Sequence, residues 1–88
     1  MMSKAELMGK TTKYFEDELV VLEGCLKDNT LTDHYTAERL LDKTLSRMLG
    51  GAFLAQSFTG DSSDEEDLCN LYDEYKERAL EIYNNYTE

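Results

Sequence analysis

Met48-Leu49-Gly50-Gly51-Ala52-Phe53-Leu54-Ala55-Gln56-Ser57-Phe58-Thr59-Gly60 is an uncharged run in a chain of which 32% of residues are charged. Its reading decides the fold. Ala37, Leu40, Leu41, Thr44, Leu45, Met48, Ala52 and Ala55 recur at helical spacing, so a helix enters the run from its N-terminal side. Each glycine inside a helix costs about 1 kcal/mol relative to alanine, and two together can end one. In that case Ala52–Phe58 folds back over the core as a short fourth helix. Against a break, the chain contains no proline, and the residues from Ala52 to Phe58 continue the same apolar face. A single helix over 36–58 is about 35 Å long at 1.5 Å per residue, similar to the two other helices expected. The spacing therefore predicts one helix, bent if anywhere at the glycines.

Such a helix is apolar nearly all round. Met48, Ala52 and Ala55 point with the main stripe, Leu49 and Phe53 point well away from it, and Leu54 lies on a further side. A helix of this kind must be buried on more than one side, and an 88-residue chain has few residues left to cover it. Gly50, Gly51, Ala52 and Ala55 also permit a second backbone to approach. Leu49, Phe53, Leu54 and Phe58 are therefore expected to form an apolar interface.

The remainder of the chain reads as two more helices. The first spans about 3–27. Ser3 with Glu6 forms a capping-box pattern, and Leu7, Thr11, Phe15, Leu22 and Leu26 fall along one face. Met8 and Leu19 lie on one flank, with Tyr14, Val21 and Cys25 on the other. Asp28-Asn29-Thr30 supplies the stop. The middle helix spans about 34–58, with Thr32 or Thr36 as N-cap. The last spans about 63–86. Ser62 and Ser63 each stand three residues before a glutamate, and Leu68, Tyr72, Tyr75, Ala79, Ile82 and Tyr86 alternate spacings of four and three, a seam for helix packing. Asn84 and Asn85 are expected to fray. The fold class is all-α, a single-domain small three-helix bundle over 1–88.

Charge narrows the function. Nineteen acids against nine bases give a formal net charge of −10. Direct binding to nucleic acid or to an anionic membrane is opposed by that charge. No stretch approaches the ~20 apolar residues that span a bilayer, and the N-terminal residues do not resemble a signal peptide, so a cytoplasmic location is expected. Cys25 and Cys69 do not form a metal or redox motif. They are read as small apolar groups at helix edges.

No catalytic set emerges. His34, the only histidine, stands in the first interhelical connection with no nucleophile and carboxylate assignable to it. Gly50-Gly51 lacks the context of a phosphate-binding loop. The acids Asp61, Asp64, Glu65, Glu66 and Asp67 do not follow the alternate-position pattern of a calcium loop. Some of them cap a helix N-terminus favourably, but five within seven residues exceed that need. They are candidates for contact with a basic partner. Ser62 and Ser63 lie where an acid-directed kinase would act. Glu18 falls within the apolar stripe of the first helix and needs a partner, with Arg39 and Arg47 as candidates. Tyr72, Tyr75, Tyr83 and Tyr86 cluster on the last helix, where core packing and an interface both account for them.

These features predict a non-enzymatic acidic interaction module without metal or cofactor. Its expected partner is a larger protein with a basic, nucleic-acid-binding surface that it inhibits or modulates. Small anti-defence and immunity proteins of phages and mobile elements share this general composition. The alternative is a homodimeric or homo-oligomeric assembly subunit built through the apolar 48–58 segment.

Overall fold

The structure, a computed structural model, describes residues 3–27, 34–59 and 62–87. Three helices account for nearly all of them: α1 (Lys4–Lys27), α2 (His34–Gln56) and α3 (Ser62–Thr87). All three pack against one another as a three-helix bundle measuring 44 × 16 × 16 Å. Leu7 near the start of α1 clusters with Ala55 near the end of α2, whereas Lys4 of α1 meets Asp64 and Asp67 at the start of α3. The chain therefore runs up, down and up. The expected stop at Asp28-Asn29-Thr30, the N-cap at Thr32, and Gly60 and Asp61 lie outside the described residues. His34 is the first residue of α2 rather than part of a connection, and α3 continues through Asn84 and Asn85 to Thr87 instead of fraying there.

Each helix begins or ends for a local reason. The Glu6 amide donates to the Ser3 hydroxyl at 3.2 Å, and the Leu7 amide to the Ser3 carbonyl at 3.0 Å, which starts α1. At the other end of α2, the Phe58 amide donates to the Ala55 carbonyl at 3.1 Å and the Thr59 amide to the Gln56 carbonyl at 3.2 Å. These three-residue steps tighten the last turn and satisfy carbonyls that have no helical partner. The Thr59 hydroxyl then donates to the Asp64 carboxylate at 3.1 Å, carrying the chain into α3.

The core follows from helical periodicity. Phe15 and Leu22 of α1, Met48 of α2, and Leu68 and Ala79 of α3 are fully buried. Phe15 packs against Tyr75 with ring centroids 5.5 Å apart and meets Tyr72 edge-on at 6.4 Å. A second, smaller cluster of Leu7, Ala55 and Leu68 closes the end of the bundle where α2 finishes. Thr44 is also fully buried. Its hydroxyl donates to the Leu40 carbonyl at 2.9 Å, which leaves only its methyl to the core. The second flank of the last helix is less buried than its seam implies: Tyr86 is exposed, and Tyr72 and Ile82 are half-buried.

α2 runs without interruption through Gly50-Gly51, and no fourth helix is present among the described residues. Gly51 has a specific task. The Tyr14 ring of α1 lies directly on it, so that a Cβ at this position would stand 2.8 Å from Cδ2 of the ring and closer still to Cε2. The Tyr14 hydroxyl donates to the Arg47 carbonyl at 3.0 Å, one turn earlier in α2. The approach that glycine permits is thus made by a side chain of the same molecule. Gly50 differs: nothing lies within 4 Å of a Cβ placed there.

Two outcomes are expected in urea denaturation. Gly50→Ala raises stability by about 1 kcal/mol, because helix propensity improves and nothing is displaced. Gly51→Ala gains none of this: the ring must move, and the difference between the two variants is about 1–3 kcal/mol. Equal stabilisation by both would show that Tyr14 does not rest on Gly51. In the core, Phe15→Ala is expected to cost about 3–5 kcal/mol. That approaches the whole stability of so small a domain, and circular dichroism would show a largely unfolded chain at 37 °C.

Candidate functional site

Three surface features stand out. The first is the end of α2. Phe53, Leu54 and Phe58 are 59%, 63% and 60% exposed, and Leu49 is also exposed. The helix places Leu49 and Phe53 in one row and Gly50 and Leu54 in the next, and Phe58 follows Leu54 in the turn after α2. No charged residue interrupts the segment. The structure thus leaves outside the core the side chains that a three-helix chain had too few residues to cover.

The second row forms one wall of a groove between α1 and α2. Lys10, Thr11 and Tyr14 line it from α1; Arg47, Gly50, Gly51, Leu54, Ala55 and the following Phe58 line it from the other side. Its volume is about 490 Å³. The antiparallel helices set Lys10 toward the Leu54–Phe58 end and Arg47 toward the other. Arg47 is held by Glu18: its Nε donates to Glu18 Oε2 at 3.0 Å. Glu18, the carboxylate placed within the apolar stripe of α1, is thereby paired across the helix interface by one of the two arginines expected for it. The Glu18 side chain keeps only 15% of its surface exposed, whereas Arg47 keeps 44%, so the pair sits at the groove's edge rather than in the core. The same Arg47 residue offers its carbonyl to Tyr14. Tyr14, Arg47 and Glu18 therefore lock α1 to α2 and shape the groove together.

The third feature is acidic. Of the cluster expected to meet a basic partner, Asp61 lies outside the described residues. Asp64 and Asp67 are engaged within the chain. Lys4 Nζ stands 3.2 Å from Asp64 Oδ1 and 2.6 Å from Asp67 Oδ2, clamping the start of α1 to the start of α3. Glu65 and Glu66 remain exposed. The larger acidic surface lies further along α3, where Glu66, Asp73, Glu77 and Glu81 are all exposed and share one face, with Glu74 beside them. Asp73, Glu77 and Glu81 follow at intervals of about 6 Å along the axis. Helical spacing in the sequence marks this row, which starts at Glu66 within the denser cluster and continues beyond it. Among the described residues, no group of three or more His, Cys, Asp or Glu side chains converges as a metal site, and no helix is long and apolar enough to cross a membrane.

Burial pushes the phenols of Tyr14, Tyr72 and Tyr75 above the ordinary tyrosine value, with nearby Glu18, Asp73 and Glu16 respectively adding to the effect. The two aspartates beside Lys4 raise its pKa as well. A raised folded-state pKa means that each group binds its proton more tightly in the native chain than in the unfolded one. The associated stability is fully present below the unfolded values of about 10 for tyrosine and 10.4 for lysine, and is lost as pH rises through the folded values. The urea midpoint is therefore expected to hold constant from about pH 7 to 9 and to fall above about pH 10. Phenolate absorbance, followed in the same titration, should show a late-ionising set that rises together with unfolding. A midpoint unchanged at high pH would contradict this.

Compared with protein-family models, with curated proteins and with solved structures, the chain matches none of them.

Proposed function

We propose that this protein is a non-enzymatic acidic interaction module that occupies a basic, nucleic-acid-binding surface of a larger protein and thereby blocks or modulates it. The observation that carries this reading is the exposed carboxylate row of α3, Glu66, Asp73, Glu77 and Glu81. The helix presents Asp73, Glu77 and Glu81 at regular intervals of about 6 Å, with Glu66 on the same face about 10 Å before them. Protein sites built for a phosphate backbone recognise a regular line of negative charge through lysine and arginine. The net charge of −10 adds long-range attraction toward such a site and speeds encounter. The Lys4 clamp consumes Asp64 and Asp67 at the start of α3 and engages none of these four side chains, although Glu66 stands between the two aspartates.

The test uses the immobilised protein to capture partners from a lysate of its host, followed by elution in rising salt and by competition with short duplex DNA. Retention is expected at low ionic strength, with release by both salt and duplex. The variant Glu66→Gln/Asp73→Asn/Glu77→Gln/Glu81→Gln should reduce capture by at least about tenfold without lowering thermal stability, since all four side chains are exposed. Capture that resists salt, duplex DNA and the quadruple substitution would refute the reading.

A further inference from the structure

The α1–α2 groove reverses the character of the chain. The protein carries nineteen acids and nine bases, yet the groove lining includes two cations, Lys10 and Arg47, and no carboxylate. Its α2 wall is bare at Gly50, which is exposed and where a Cβ would meet nothing within 4 Å. Its walls carry Leu54 and Phe58, each about 60% exposed. On the neighbouring row, Phe53 and Leu49 extend the apolar surface beyond the groove itself.

We infer that the groove between α1 and α2 docks an acidic amphipathic helix of another protein. The occupant would lie along the bundle as a fourth helix, its apolar stripe on Tyr14, Leu54 and Phe58 and a flanking carboxylate toward Lys10, the lining cation that Glu18 does not engage. Helix-in-groove recognition needs apolar anchors at i, i+3, i+4 and i+7. The bare glycine in the wall lets the incoming helix approach closely, and exposed aromatic and leucine side chains supply the area that desolvates on contact. Charge selects the sign of the occupant: Arg47 is already paired with Glu18, so Lys10 carries the uncompensated charge of the lining, and a carboxylate at the edge of the docked helix is matched there while an ammonium group is not.

A second copy of the chain fits less well. The exposed surface of α3 is acidic, and its exposed apolar side chains among the described residues, Cys69, Leu80 and Tyr86, are too widely spaced to give anchors at i, i+3, i+4 and i+7. A symmetric pairing would set the lining cations against the same surface, between bodies that each carry −10. A small apolar acid would match the lining but would leave Phe53 and Leu49 uncovered.

The experiment measures fluorescence anisotropy of two labelled peptides of about 20 residues, ~30 Å as helices. Both carry leucine at the anchor positions, one with glutamate at the remaining positions and the other with lysine. The acidic peptide is expected to bind more tightly than the basic one, against the sign of the protein's net charge. Lys10→Glu should weaken it about tenfold, and Leu54→Asp should do the same or more. Gly50→Leu places a side chain where the docked helix would approach and improves helix propensity, and its Cβ meets nothing within 4 Å, so it should abolish binding without loss of stability in urea denaturation. The quadruple substitution on α3 should leave binding of the acidic peptide in place, which separates this inference from the proposed function. The inference is overturned if the basic peptide binds as well as the acidic one, if neither peptide binds, or if Gly50→Leu has no effect. It is equally overturned if decanoate occupies the groove while the acidic peptide does not, or if light scattering shows a dimer that Leu54→Asp dissociates.

Discussion

The contact between the Tyr14 ring and the bare Cα of Gly51 holds the arrangement of α1 against α2, and much of the rest follows from it. A ring seated on helix backbone requires a residue without a Cβ, and Gly51 supplies one. The hydroxyl then reaches the Arg47 carbonyl, and the Arg47 guanidinium turns back to Glu18 on α1. One tyrosine thus connects a helix packing distance, a hydrogen bond across the interface and an ion pair. Because the ring lies at the interface edge, it also forms part of the groove. The closeness of the two helices and the shape of the surface beside them have the same cause.

The bundle itself was legible because its information is local and periodic. Leu7, Thr11, Phe15 and Leu22 recur on one face of α1, and each is buried. Ala37, Leu41, Thr44, Met48, Ala52 and Ala55 do the same in α2, and their unbroken periodicity outweighed the propensity cost of two glycines. What periodicity does not carry is the aim of a side chain on a flank. Tyr14 was readable as lying beside the apolar stripe, but not as seated on one particular glycine. That contact joins positions 37 residues apart and depends on how two helices cross. The same limit applies to Glu18. Its need for a partner followed from its place in the stripe, whereas the choice of Arg47 required the antiparallel register.

The acidic surface shows a different limit. Density along the sequence drew attention to the cluster at 61–67, but density in sequence is not density on a surface. Asp64 and Asp67 face Lys4 and serve to hold two helix starts together. The row from Glu66 to Glu81 is diluted in sequence by intervening core residues and becomes continuous only when wound on a helix. The chain therefore presents two unlike surfaces: a negative face on α3, and an apolar groove with cationic edges between α1 and α2.

The two adjacent glycines mark the difference between what the fold needs and what it merely tolerates. Gly51 is required by the ring above it. Gly50 meets no neighbour, so nothing inside the molecule asks for its missing Cβ, and its presence in the middle of a 23-residue helix costs about 1 kcal/mol against alanine. The exposed Leu54 stands in the same row, and the exposed Phe58 follows it. Burying an exposed side chain of either type gains roughly 1.5–3 kcal/mol, and this chain leaves both in solvent with a bare Gly50 beside them. A segment that spends stability at Gly50 and forgoes it at Leu54 and Phe58 has a surface that the packing of the three helices does not account for.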